Sequence, residues 1–182
     1  MIDSTPTPPR RRSWRWLLPL TALLVLLLDQ WTKAEIIDWL AINETWRPWA
    51  GTPLLELFAF THIKNPGAAF GMFKSAGWFF VAVAVVVSLG ILWYAPRLPR
   101  HHWWMFLILG MQLGGALGNL IDRLRLGWVT DFIHIGNFAI FNVADSAVVV
   151  GTLLLALVLT REDQQEKQRL RMRDDAALSS LD

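Results

Sequence analysis

The chain contains no cysteine. Disulfides, thiolate zinc sites and a cysteine nucleophile are thereby excluded. A basic stripe is also missing: the net charge of +2 is small, and Lys and Arg gather at the ends of apolar runs, which speaks for membrane orientation rather than nucleic acid. After the first apolar run, residues 16–28, no small-residue cleavage site follows. The basic lead of Arg10, Arg11, Arg12 and Arg15 with that run therefore reads as an uncleaved first membrane helix, not as a removable signal peptide. No internal repeat of the transporter kind is visible.

What the sequence has in excess is apolar surface. With 54% hydrophobic residues and 11 Trp in 182, it is too apolar for an ordinary soluble domain and suits a small bundle of membrane helices. The runs at about 16–37, 75–95, 103–122 and 142–160 predict four spans, and residues 75–96 carry no charge at all. Between the first two spans, residues 38–74 are mixed polar and broken by Pro48, Gly51, Pro53, Pro66 and Gly67. Inside that loop, residues 56–64 partly alternate and are rich in aromatics, which predicts a strand or hairpin arm. It runs into Asn65-Pro-Gly67, where proline biases Asn65 away from helix and Gly67 can supply a positive φ. Trp46 and Trp49 read as interfacial residues, and His62, with no second ligand near it, as a surface histidine. The predicted fold is an all-α membrane protein of four transmembrane helices, with a small extracytoplasmic β-structure between the first and second. A basic tail, 1–15, and a charged tail, 161–182, flank a membrane domain, 16–160.

Orientation follows from the cations. Arg10, Arg11, Arg12, Arg15, Arg97, Arg100, Arg161, Lys167, Arg169, Arg171 and Arg173 fall on one side, against Lys33, Arg47, Lys64, Lys74, Arg123 and Arg125 on the other. The positive-inside rule then makes both tails cytoplasmic, in agreement with an even number of spans. Asn65, Asp131 and Asp145 all fall on the extracytoplasmic side.

The ionisable residues of segment 114–145 sit at or inside the edge of greasy sequence, where charge is costly and usually functional. Asp131 lies fourteen residues before Asp145 on a short return segment and can come back beside it. Two carboxylates in contact cannot easily both ionise, so one holds a proton while the other takes a proton from water, as general acid-base hydrolysis of a peptide bond requires. Asn142-Val-Ala-Asp145 has capping-box spacing, which alone accounts for both residues. A helix N-terminus at Asp145 leaves Asp131 as the protonated partner. Asn119 and Arg123 share a helix face, with Asp122 beside Asn119. Asp29 and Lys33, spaced i, i+4, make either a neutralising ion pair or part of the site, or both. Gly114 and Gly118 form a small-xxx-small pair for close helix approach. A proton-coupled transporter and a non-enzymatic assembly factor stay open on these residues alone.

Four boxes carry a resemblance. Asp29-Gln-Trp-Thr-Lys33, Asn65-Pro-Gly-Ala-Ala-Phe-Gly71, Gly114-Gly-Ala-Leu-Gly-Asn-Leu-Ile-Asp-Arg123 with Gly127-Trp-Val-Thr-Asp-Phe132, and Phe141-Asn-Val-Ala-Asp-Ser146 together resemble the boxes of the lipoprotein signal peptidases, or signal peptidases II. The resemblance implies a multi-pass bacterial inner-membrane aspartic peptidase. Such an enzyme cuts prolipoproteins before a diacylglyceryl-modified cysteine near the extracytoplasmic face. By position it makes Asp131 and Asp145 catalytic. Asn119, Arg123 and Asn142 would hold substrate and carboxylates, Asn65 would line the pocket, and Asp29, Lys33 and Gly114 would bind substrate or support the site. It further implies no metal or other cofactor and inhibition by the cyclic peptide globomycin; membrane lipids as partners, no nucleic acid and a monomer are expected beside it.

Overall fold

A computed structural model describes residues 13–52, 57–67, 77–99 and 102–179, the last six by their backbone alone. Arg10, Arg11, Arg12, Glu56, the Ala68 to Gly71 end of the second box, Lys74 and Arg100 lie outside the described residues. Among the described residues four helices are long and apolar enough to cross a membrane. They are α1 (Leu17–Trp39), α2 (Gly77–Tyr94, continued by a 3₁₀ turn, Ala95–Arg97), α3 (Trp103–Leu126) and α4 (Val143–Ser179).

Helix α3 is the axis of the bundle, packing against α1, α2 and α4. Its inner face supplies Met105, Phe106, Leu109 and Leu113, which close on Leu18 and Ala22 of α1 and Ile91 of α2. Leu23, Leu24 and Leu27 of α1, Trp78, Phe79 and Val86 of α2 and Leu153 of α4 point outward, as lipid-facing side chains must. The glycine pair has the predicted packing role. A Cβ on Gly114 would lie 2.6 Å from the Ala22 carbonyl oxygen, and one on Gly118 would lie 2.5 Å from Asp29 Oδ2.

Each helix end near the site is set locally. Helix α3 stops at Gly127, whose left-handed φ of 84° lets its N–H reach back to Arg123 O, with Arg123 and Arg125 in the last turn beside the negative end of the dipole. Helix α4 starts with the predicted box: Asp145 N–H donates to Asn142 Oδ1 at 2.9 Å, and Asn142 N–H to Asp145 Oδ2 at 3.4 Å. The helix then runs straight on through the charged segment to Ser179, carrying an exposed i, i+4 pair of Lys167 with Asp163.

Among the described residues three antiparallel strands stand at the end of the bundle where α1 and α3 stop: β1 (Thr45–Trp46), β2 (Phe58–Asn65) and β3 (Val129–Ile135), in the order β1-β2-β3. The loop between α1 and α2 provides the first two strands, and the connection from α3 to α4 adds the third. The β2 register shifts between Phe60 and Ile63, which breaks alternation and turns Thr61 and His62 both inward. His62 is therefore not a surface residue: it is buried, and its Nδ1 donates to Leu40 O at 2.9 Å, tying the strand to the end of α1.

Candidate active site

Pairing in the sheet brings Asn65 and Asp131 together. Asn65 stands opposite Val129 and Ile63 opposite Asp131, so the two polar residues are diagonal neighbours within side-chain reach. Asn65 Nδ2 donates to Asp131 Oδ2 at 2.8 Å. From the other side, Asn142 Nδ2 donates to Asp131 Oδ1 at 2.7 Å. Asp145, in the first turn of α4, accepts from Asn119 Nδ2 at 2.7 Å through Oδ1.

In each case the amide orientation is fixed by what its oxygen accepts. Asn65 Oδ1 takes the Gly67 N–H at 3.1 Å, Asn142 Oδ1 takes the Asp145 N–H, and Asn119 Oδ1 takes Lys33 Nζ at 2.9 Å. All three therefore present NH₂ groups to carboxylates.

Beneath them lies a buried ionic cluster. Lys33 Nζ meets Asp29 Oδ2 at 2.8 Å and Asp122 Oδ2 at 3.0 Å, so with Asn119 its three protons are all engaged. The predicted ion pair forms, and the same lysine also reaches the amide that holds Asp145. Asp29 Oδ1 accepts the Ala144 N–H at 2.9 Å, clamping the first turn of α4, and Asp122 Oδ2 accepts the Thr130 N–H at 3.0 Å, clamping the start of β3. Gln30, a member of the first box with no role assigned from sequence, donates to Asp122 Oδ1 at 2.9 Å and Gly118 O at 3.2 Å. Its position beside Asp29 was the available signal, but only helix packing reveals which face it serves.

Asp131 is 2% exposed. Burial, then the nearby Asp145 charge, pushes its carboxyl up to about 7, against the opposing hydrogen bonds from Asn65 and Asn142. Asp145 is only half-buried and opens, with Asp131, onto a cavity of about 670 Å³ between α2, α3 and α4. Phe80, Val83 and Val87 wall it on one side, Val148 and Val149 on the other, and residues 138–141 lie over it. Asn65, Asn119 and Arg123 also line it. The Arg123 guanidinium donates at 3.4 Å to Asn119 O and at 3.3 Å to Gly67 O and sits 5.1 Å from the Phe80 ring. Gly114 lies outside the cavity, in the seam between α1 and α3. Among the described residues no group of three His, Asp or Glu side chains is arranged to hold a metal ion.

The family profile described as signal peptidase (SPase) II matches residues 21–161. The chain is 37% identical over 153 residues to the lipoprotein signal peptidase of Alteromonas mediterranea, covering 80% of this chain and 81% of that relative. It is 38% identical over 155 residues to that of Halalkalibacterium halodurans, covering 82% and 95%. A bacterial membrane enzyme solved by the in meso method at 2.3 Å superposes with a TM-score of 0.71 at 29% identity, over 79% of this chain and 87% of that one.

Proposed function

The chain belongs to the signal peptidase II family, and from that membership we propose that it removes signal peptides from prolipoproteins, cutting before a diacylglyceryl-modified cysteine with Asp131 and Asp145 as the catalytic pair. The observation that carries this reading is the opening of both carboxylates onto one cavity, each oriented by asparagine amides that are themselves fixed.

A water held between the carboxylates attacks the scissile carbonyl carbon as Asp145 takes its proton and protonated Asp131 gives its own to the carbonyl oxygen. The resulting gem-diol collapses as the C–N bond breaks: its hydroxyl proton returns to Asp131, and Asp145 passes its proton to the leaving amine. Each carboxyl ends in its starting state. Arg123, at the cavity wall, has guanidinium N–H groups to offer substrate carbonyls. In this reading the site faces the extracytoplasmic side of the inner membrane with both tails cytoplasmic, which the cation distribution supports. The chain acts as a monomer without metal and is blocked by globomycin.

The test is cleavage of a diacylglyceryl-modified prolipoprotein by the detergent-purified protein, with and without EDTA. Activity should survive EDTA, and Asp131→Asn and Asp145→Asn should each lower kcat by about 10²- to 10⁴-fold, the usual worth of a positioned acid or base. Full activity in either folded variant would overturn the assignment.

A further inference from the structure

Below the carboxylates the described residues that line the cavity are Val, Ala and Gly, apart from the polar pair Gln112 and Thr152. Gln112 lies seven residues before Asn119 on α3, and Thr152 seven residues after Asp145 on α4, so both stand two turns, roughly 10 Å, deeper than the site at 1.5 Å per residue. Gln112 Nε2 donates to Thr152 Oγ1 at 3.4 Å, while that hydroxyl donates to Val148 O at 2.8 Å. Gly151 makes room for the pairing: a Cβ there would lie 3.1 Å from Gln112 Cγ. Gln112 and Thr152 both line the cavity, at a membrane depth where an unmatched polar group is costly.

Resting on the peptidase reading above, we propose that Gln112, steadied by Thr152, is a subsite for a backbone carbonyl of the signal peptide about three residues before the scissile bond. The apolar part of a signal peptide in the bilayer must be helical, yet the scissile bond must be extended to meet two carboxylates. The helix therefore ends inside the cavity and leaves its last carbonyls without donors. Three extended residues span about 10 Å at roughly 3.3 Å each, which sets the end of the helix level with Gln112. The subsite thus reads where the helix stops rather than which side chains it carries.

The test compares two diacylglyceryl-modified substrates with the same sequence around the cut: a full-length prolipoprotein and a peptide truncated two residues before the scissile bond. In Gln112→Met, which keeps length and loses the amide, the ratio of kcat/KM for the long over the short substrate should fall about tenfold, the worth of roughly one hydrogen bond. Thr152→Val should lower the same ratio less, by about threefold, since Gln112 keeps its amide but loses its tether. An unchanged ratio in Gln112→Met overturns the subsite. So does an equal loss on both substrates, which would assign the amide to the lipid esters or to the fold. A wild-type protein that cleaves neither substrate overturns the peptidase reading and this inference with it.

Discussion

Asn65, Asn119 and Asn142 hold two acids that would repel each other, and each does so with an amide whose oxygen is already committed. Burial and the neighbouring Asp145 charge let Asp131 keep a proton to about pH 7, while the amides of Asn65 and Asn142 order it and pull the other way. Activity carried by the protonated form should therefore fall as pH rises through about 7, and a kcat/KM profile flat from about pH 6 to 8 would contradict the assignment. The same shift bears on stability. Its folded value is raised from 3.8, so the native state binds the proton more tightly than the unfolded chain. The contribution of Asp131 to stability is then fullest below about 4, declines as pH rises to about 7 and levels above, by at most roughly 4 kcal/mol. Asp131→Asn should flatten that decline in thermal unfolding scans. At Lys33 the expectation is harsher. Lys33→Met strands Asp29 and Asp122, both buried, and should cost about 3–5 kcal/mol, read as a lowered Tm.

Between elements, the decisive contact is the approach of α1 to α3. It puts Asp29, Gln30 and Lys33 under the site, and it depends on glycine at the crossing. Gly114→Ala places a Cβ against backbone, which cannot swing away, and should destabilise by about 1–3 kcal/mol. Gly90→Ala in α2 meets nothing within 4 Å and should be neutral or stabilise by up to about 1 kcal/mol through helix propensity. Unfolding midpoints of the two variants in denaturing detergent separate the cases, and equal midpoints would show that the crossing is looser than described.

For the whole molecule, the sheet and the site share one end of the bundle, while the charged end of α4 leaves from the other. The absence of cysteine makes the membrane orientation directly measurable. Single cysteines at the exposed positions Ala50 and Gln168 should label from opposite sides. In spheroplasts an impermeant maleimide should reach Ala50→Cys at once and Gln168→Cys only after permeabilisation. The reverse order would place the carboxylates on the cytoplasmic side.

Local chemistry was legible in the sequence because it depends on spacing along one chain. Apolar runs of spanning length gave four helices, i, i+4 spacing gave the Asp29 and Lys33 pair, and Asn142 with Asp145 gave the cap. Proximity between segments was legible only as possibility. That β3 joins the sheet from the α3 to α4 connection, that a bulge buries His62, and that Gln30 serves Asp122 depend on register and crossing geometry, which no local pattern encodes. Gly114 shows the division at one residue: its spacing predicted close packing, and only the fold decided that the neighbour is α1 rather than the cavity. Residue type fixes which groups a chain can bring to a site; the packing of backbones decides which of them meet.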